Sequence, residues 1–274
     1  MTLAVGGPLF LVGAGKMGGA LLTGWLGRGL DPETVFIQDP ATPDEVSALV
    51  QQKGMKLVAG AGELPAAPGV MVLAIKPQMM EDVLPSLKTA AAADTVVLSI
   101  AAGTTIAVIE RHLGSDAVIV RAMPNTPAAI GRGISVAFAK DNVSAVQKEM
   151  CDALLQAAGA VAWTDDEANL DAVTAVSGSG PAYVFLLAEC LEEAAVEAGL
   201  ERDLARQLAR ETVSGAGELL RRSDAPASQL RENVTSPGGT TAAALDVLTG
   251  SDGLQDLLTR AVKAATRRSR ELSS

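Results

Sequence analysis

The residue pattern with the clearest chemical meaning is a glycine-rich turn near the start of the chain, residues 13–18, with the sequence GAGKMG. It follows an apolar run at residues 9–12 and opens a helical stretch, which is where a dinucleotide-binding fingerprint has to lie. Gly13 permits a tight turn, Gly15 lets the backbone approach a pyrophosphate, and Gly18 lets the helix pack closely on a sheet. Unpaired N–H groups at the start of that helix would bind the anion. A tight turn with no ligand is the alternative interpretation.

An acidic residue, Asp39, ends the second apolar run, 21 residues after Gly18. A carboxylate in this place commonly accepts hydrogen bonds from the adenosine ribose hydroxyls of NAD, and it would repel the 2′-phosphate of NADP. Residues 40–45 contain no Arg or Lys. The residues therefore favour NADH, but the choice between NADH and NADPH stays open, because Asp39 could instead be a turn residue before Pro40.

A third polar group at a strand end is Lys76, which is followed by Pro77 after a buried apolar run. Strand ends of this kind line the cofactor crevice of a doubly wound sheet. Lys76 is therefore a candidate for contact with a phosphate or a ribose, and a surface lysine at a strand exit is the alternative.

A parallel sheet has to bring these residues together. Up to about Val161, short β-branched runs alternate with helical stretches, which is typical of a parallel sheet with crossover helices. The predicted strands are residues 9–12, 34–38, 70–75, 95–100 and 117–121, with added edge strands at 135–139 and 160–163. The predicted helices between them are residues 16–28, 43–53, 78–91, 104–112 and 144–158.

After Thr164 the β-branched runs stop, and the rest of the chain is rich in Ala, Leu and Glu at helical spacing. Residues 182–198 and 204–221 carry charges on one side and small apolar residues on the other, so they should pack within or between subunits. The pattern predicts an α/β fold with a Rossmann dinucleotide-binding domain at 1–163, followed by an all-α domain at 164–274.

Composition argues against several classes of partner. The chain has 22 Lys and Arg against 32 Asp and Glu, a net charge of −10. A field of this sign repels nucleic acid and anionic lipid, although backbone dipoles can still bind an anionic substrate locally. Cys151 and Cys190 lie far apart with no metal-ligand spacing around them, which favours a reduced cytoplasmic setting and no metal. The sequence has no run of about eighteen consecutive apolar residues without charged or helix-breaking residues, so we do not expect a membrane span.

Three further segments occur in order along the chain: RAMPNTP at residues 121–127, SGSGPAY at 177–183 and SPGGTT at 236–241. Together with the glycine turn, they resemble the motifs of pyrroline-5-carboxylate reductases, and the resemblance extends over essentially the whole chain. Related dehydrogenases share only the glycine turn and the general layout. The resemblance implies reduction of the cyclic imino acid 1-pyrroline-5-carboxylate to L-proline with NAD(P)H, the last step of proline biosynthesis. It also implies a helical dimerisation domain and a homodimer, and a decamer is an open alternative because dimers of this family often assemble into rings.

The resemblance places the substrate at the third of these segments. Backbone amides beside two glycines at the start of a helix can hold a carboxylate without an arginine. By the matching family positions, the Thr241 hydroxyl is the catalytic group, within hydrogen-bonding reach of the ring nitrogen. A loop with a helix N-cap is the alternative. The implied substrate-binding residues are Ser236, Pro237, Gly238, Gly239, Thr240, Thr241 and Asp224.

The cofactor site combines the fingerprint with family positions. Asn233 matches a position that touches the nicotinamide side of the cofactor, with a helix C-cap as the alternative. Two positions depart from the family: a cofactor-contacting Asn falls here on Ala61, and a substrate-loop Glu falls on Asp224. The expected cofactor-binding residues are Gly13, Gly15, Lys16, Met17, Gly18, Asp39, Thr42, Ala74, Lys76, Pro77, Ala101 and Asn233.

Two rival functions remain to be weighed. The first is a β-hydroxyacid dehydrogenase, which reduces a carbonyl group. Ketone reductases usually need a His, Tyr or Lys proton donor, and this rival would need a lysine on the central long helix. Residues 169–199 contain no lysine, and the single histidine, His112, ends a helix where a surface role is expected. A protein that binds a nicotinamide cofactor without turnover is the alternative from another class.

Overall fold

The computed structural model describes residue 3 and residues 5–273. The chain divides into two compact units, one formed by residues up to 178 together with those from 265 onward, and the other by residues 179–264.

The first unit is built on one eight-stranded sheet with the order β3-β2-β1-β4-β5-β6-β7-β8. All neighbouring strands run parallel except β6 and β7, which are antiparallel. The first six strands have the order of a Rossmann sheet. The strands are β1 Leu9–Val12, β2 Val35–Gln38, β3 Lys56–Leu57, β4 Val70–Leu73, β5 Val96–Ser99, β6 Val118–Met123, β7 Gly133–Ala139 and β8 Gly159–Trp163.

Helices cover both faces of this sheet, as the apolar strands require. Alternate β1 residues belong to separate core clusters, with Leu9 and Leu11 in one and Phe10 and Val12 in the other. Trp25 is fully buried, and its Nε1 donates to the Leu154 carbonyl oxygen at 2.9 Å. The helices are α1 Lys16–Gly27, α2 Asp44–Lys53, α3 Met80–Leu87, α4 Ile106–Leu113, α5 Ala145–Leu155 and α6 Asn169–Val173.

Four helices begin later than the sequence predicts, α2 by a single residue, and local capping explains two of the four. The Thr105 hydroxyl accepts from the Val108 N–H, so α4 begins at Ile106 instead of residue 104. Ser144 and Gln147 form a capping box, which starts α5 one residue after the predicted start. A 3₁₀ turn at Pro77–Met79 delays α3 to Met80.

Burial controls the chemistry of Cys151. The side chain is fully buried in α5, and burial, with a smaller contribution from the neighbouring Asp152, raises the pKa of its thiol to about 12. A thiol that stays protonated is a poor nucleophile and a poor metal ligand. Cys190 is exposed on the second unit, and both cysteines are free.

The second unit is helical, as predicted for this part of the chain. A π-helix at Thr174–Gly178 precedes it, which the sequence pattern did not predict. The two long helices, α7 at Gly180–Glu197 and α8 at Arg202–Arg222, pack against each other. Arg202 on α8 donates to both carboxylate oxygens of Glu193 on α7, at 2.6 and 3.1 Å. The helices are α7 Gly180–Glu197, α8 Arg202–Arg222, α9 Ala227–Asn233, α10 Thr240–Leu248 and α11 Leu254–Ser273, the last of which ends in the first unit.

Candidate functional site

The glycine turn between β1 and α1 has a backbone that only glycine tolerates at its first position. Gly13 has a φ of +93°, and its N–H donates to the Gln38 carbonyl oxygen at 2.9 Å. A Cβ atom here would lie 2.7 Å from the Ala74 carbonyl oxygen. The left-handed conformation and the close approach of β4 therefore both require glycine.

The other two glycines play different parts. A Cβ on Gly18 would lie 2.3 Å from the Gly13 carbonyl oxygen, so α1 packs directly on the turn. A Cβ on Gly15 would meet nothing within 4 Å, which leaves open space at the start of the helix. No side chain caps α1, and its first turn holds no acidic residue. The uncapped first-turn amides and the space beside Gly15 fit a pyrophosphate.

Asp39 lies at the carboxyl end of β2 and is tied to the glycine turn. Its Oδ2 accepts from the Ala14 N–H at 2.6 Å, and its Oδ1 accepts from the Ala41 N–H at 2.9 Å. The Thr42 hydroxyl donates to the Asp39 carbonyl oxygen at 2.9 Å, which closes the turn toward α2. These contacts fix the carboxylate in one place beside the turn.

The other predicted cofactor residues follow neighbouring strands. The Ala74 N–H donates to the Val12 carbonyl oxygen at 2.8 Å, so the ends of β1 and β4 stay together. Lys76 is exposed, Pro77 begins the 3₁₀ turn, and Ala101 is buried after β5. The strand order reverses between β1 and β4, and ligands of such sheets bind outside the carboxyl ends at this point.

Two buried polar atoms near these strand ends have no hydrogen-bond partner within the described part of the chain. They are Gln38 Oε1 and Ser99 Oγ, on the last residues of β2 and β5. Buried polar groups are almost always paired in folded proteins. Together with the open space at Gly15, these atoms indicate that the carboxyl edge of the sheet is suited to a polar ligand.

Sequence reasoning missed an ion pair in the first unit. The Arg121 guanidinium contacts the Glu167 carboxylate, which also accepts from the Ile106 N–H at 2.8 Å. The Arg121 side chain is 9% exposed and that of Glu167 28%. The sequence places Arg121 only at the start of the RAMPNTP segment at residues 121–127 and gives it no ionic partner. An arginine inside an apolar strand was the available signal, but nothing in the sequence identified Glu167 as its partner.

We expect Glu167→Ala to lower the free energy of unfolding by about 3 kcal/mol, because it leaves a buried guanidinium and the Ile106 N–H without their acceptor. Urea denaturation at a fixed protein concentration measures this. Replacing both partners, Arg121→Met with Glu167→Leu, should recover most of the loss. As a control, Arg111→Ala removes the exposed contact with Glu81 and should change the stability by less than about 1 kcal/mol. A loss that small for Glu167→Ala would contradict the prediction.

In the second unit, the segment 236–241 forms a tight turn that leads into α10. Gly238 has a φ of +67°, and the Gly239 N–H donates to the Ser236 carbonyl oxygen at 3.0 Å. The Gly239 amide is therefore used within the turn, and the first-turn amides of α10, from Thr240 onward, remain for a ligand. Thr241 is half-buried on this first turn, and no side chain caps the helix.

The remaining predicted polar residues are exposed. Asn233 ends α9, and its Oδ1 accepts from Gln229 Nε2 at 3.0 Å, so its amide is engaged on its own helix. Asp224 lies in the loop between α8 and α9. His112, by contrast, has a side chain that is only 19% exposed, and it forms a 2.9 Å contact with the exposed Glu81.

Comparison with known proteins gives two family matches. Residues 167–272 match the family described as pyrroline-5-carboxylate reductase dimerisation, and residues 9–103 match the one described as NADP oxidoreductase, coenzyme F420-dependent. The pyrroline-5-carboxylate reductase of Pseudomonas aeruginosa is 39% identical, over 96% of this chain and 95% of its own. The chain belongs to the pyrroline-5-carboxylate reductase family. The family member of Pisum sativum is 36% identical, over 97% of this chain and 96% of its own.

Solved structures of this family agree with the fold. A pyrroline-5-carboxylate reductase from Coxiella burnetii matches with a TM-score of 0.91 at 34% identity, covering 98% of this chain and 99% of that one. The Plasmodium falciparum protein with NADP bound matches with a TM-score of 0.82 at 31% identity, with the same coverage. These matches confirm the predicted family, the oxidoreductase class and the Rossmann domain followed by a helical dimerisation domain.

Proposed function

We propose that this chain reduces 1-pyrroline-5-carboxylate to L-proline with hydride from a reduced nicotinamide dinucleotide. The observation that carries the proposal is the turn at Gly238 and Gly239, which opens α10 with uncapped amides beside two threonine hydroxyls. Relatives named for this reaction match the chain over almost its full length. The glycine turn of the first unit supplies the second requirement, a place for the pyrophosphate of the cofactor.

Each group of residues has a task in this reaction. The first-turn amides of α10 would hold the substrate carboxylate, which suits a net-acidic chain because no arginine is needed. The Thr241 hydroxyl would orient the ring nitrogen by a hydrogen bond and relay a proton to it. A reduced nicotinamide held at the glycine turn would supply the hydride for carbon 5, so that the protonated carbon–nitrogen double bond becomes the single bond of a secondary amine.

The chemistry relies on position more than on a strong base. A protonated cyclic imine already accepts hydride readily, so the enzyme needs mainly to hold the two reacting carbons close together. Such proximity can contribute about 7 to 11 kcal/mol in favourable cases. This agrees with a segment at Ser236–Thr241 that offers hydroxyls and amides but no histidine or lysine.

Initial rates of cofactor oxidation test the proposal. We expect the purified chain to oxidise NADH or NADPH when 1-pyrroline-5-carboxylate is added, and to form proline in equal amount. A six-membered cyclic imino acid in the same assay measures the preference for ring size. Cofactor binding without any turnover would instead support the rival function of a non-catalytic nicotinamide-binding protein.

We also propose a functional boundary near residue 163. The sheet of the first unit ends with β8 at Trp163, and the match to the dimerisation family begins at residue 167. Residues 1–163 then carry the cofactor and residues 164–274 carry substrate binding and self-association.

We propose that the self-association is a homodimer or a multiple of it, and the exposed surface of α7 supports contact with a second copy. The helix exposes several large apolar side chains, with Phe185 63% exposed. Exposed apolar patches of this kind are typical of protein interfaces. The set comprises Val184, Phe185, Leu186, Leu187 and Leu191.

We expect Phe185→Asp to shift the chain toward monomers and to lower its melting temperature, because a carboxylate would be buried in the proposed interface. Size-exclusion chromatography with light scattering checks the mass. Val146→Asp is a matched control, since Val146 is 75% exposed on α5, outside the dimerisation match. An unchanged mass for the α7 variant would contradict this assignment of the interface.

The apolar side chains of α7 also raise the question of whether this helix spans a membrane. The helical segment Asn169–Glu197 is long and apolar enough to cross a membrane by length and composition, with a mean hydropathy of 1.3. The helix α7 nevertheless carries Glu189, Glu192, Glu193 and Glu197, and carboxylates are costly in a bilayer. We therefore assign its apolar side chains to contact with a second copy, and propose a soluble cytoplasmic enzyme.

A further inference from the structure

We propose that Asp39 makes this chain select NADH over NADPH. The inference rests on the proposed function and names the reductant that it uses. It depends on three features at the carboxyl end of β2: the fixed carboxylate of Asp39, the acids at the start of α2, and the lack of a cation in the connecting turn.

The Asp39 carboxylate cannot turn away from a nucleotide without breaking contacts. Its two oxygens accept from the Ala14 N–H at 2.6 Å and from the Ala41 N–H at 2.9 Å. The first contact joins the carboxylate to the glycine turn where the pyrophosphate would lie. Each oxygen keeps further lone-pair capacity, so the carboxylate can accept from the two ribose hydroxyls of NADH.

The start of α2 adds to this selection. A helix N-terminus normally attracts an anion such as a 2′-phosphate. Here the first turn of α2 is occupied by Asp44 and Glu45, and no side chain caps the helix. The two carboxylates offset the positive end of the helix dipole, so this terminus offers little to a second phosphate.

The turn between β2 and α2 also contains no cation to neutralise these acids. Residues 40–43 are Pro, Ala, Thr and Pro, and the basic residue of α2 is Lys53 in its last turn. Within the described residues, no ion pair involves Asp39. A 2′-phosphate, which carries about −1.5 to −2 charges near pH 7, would therefore face the Asp39 carboxylate and an acidic helix start, with no lysine or arginine in this turn.

Binding measured by isothermal titration calorimetry gives a readout that does not depend on turnover. We expect the chain to bind NADH at least about tenfold more tightly than NADPH, because like charges at contact distance repel strongly in a partly buried site. Asp39→Ser should reduce this ratio about tenfold, while serine still offers an oxygen to the Ala14 N–H. Asp94→Ser removes one exposed carboxylate before β5, at the opposite end of the strands, and should leave the ratio unchanged.

A second variant tests the selectivity without removing the hydrogen bonds that hold the turn. Ala41→Arg keeps Asp39 and both backbone hydrogen bonds and adds the missing cation at an exposed position, so it should tighten NADPH binding selectively. Equal or tighter binding of NADPH by the unchanged chain, or a ratio that neither variant moves, would overturn the inference.

Assays with 1-pyrroline-5-carboxylate separate this inference from the proposed function. A larger kcat/KM with NADPH than with NADH would leave the function intact and overturn the selectivity. Selective binding of NADH with no oxidation of either cofactor would support the selectivity and refute the function.

Discussion

The Gly18→Ala chain is expected to lose dinucleotide binding by about 100-fold or more while remaining folded. The added Cβ would lie 2.3 Å from the Gly13 carbonyl oxygen and 3.2 Å from the Ala74 Cβ, so α1 has to move away from the turn. Forced overlaps of this kind cost about 1 to 3 kcal/mol or more. The movement also shifts the first-turn amides that would bind the pyrophosphate.

Two other glycines provide controls for this substitution. Gly27 ends the same helix, is exposed, and would place a Cβ in open space, so Gly27→Ala should bind the cofactor normally. Gly15→Ala also meets no protein atom, yet its methyl group would enter the space left for the pyrophosphate. We therefore expect Gly15→Ala to keep the melting temperature and lose affinity in calorimetry. Normal NADH binding by Gly18→Ala would refute the proposed pyrophosphate site at the glycine turn.

Removing the Thr241 hydroxyl should lower kcat by about 100-fold or more, within the range that positioned proton-transfer groups contribute. Thr241→Val keeps the shape of the side chain and removes only the group that would orient the ring nitrogen. Binding of the cofactor alone should not change, since the proposed role concerns the substrate. Steady-state rates with 1-pyrroline-5-carboxylate, together with calorimetry of the cofactor, measure the two effects separately.

Conservative variants show whether the hydroxyl itself matters. Thr241→Ser retains it and should restore most of the rate. Thr249→Val removes a hydroxyl at the other end of α10, where Oγ1 donates to the Leu245 carbonyl oxygen, and should leave the rate unchanged. An undiminished rate for Thr241→Val would show that the assigned role is wrong.

The main strands were predictable because each is buried on both faces and therefore reads as a continuous apolar run. The run at Leu9–Val12 was predicted with its observed bounds. The strand Lys56–Leu57 was missed, since it has two exposed residues and forms only by pairing with Phe36 and Ile37 of β2. Its existence depends on a neighbour and not on its own composition.

The helix ends were less predictable, because an apolar or alanine-rich run can continue past the point where the backbone turns. The predicted helix at residues 78–91 ends at Leu87 in the structure. The Ala90 and Ala91 N–H groups both donate to the Leu87 carbonyl oxygen, which closes the chain into a turn. Alanine has a high helix propensity, so a prediction from propensity alone continues the helix past this turn.

The sequence by itself determined the features that depend on residues close together along the chain. The glycine turn, the acid at the end of β2 and the double glycine before α10 follow from the local needs of a turn or a helix start. The tertiary structure alone decided which distant groups meet. It joined Ala14 to Asp39 across 25 positions, because the parallel strands β1 and β2 end at the same edge of the sheet. It also joined Arg121 on β6 to Glu167 across 46 positions, and no local pattern connects these two segments.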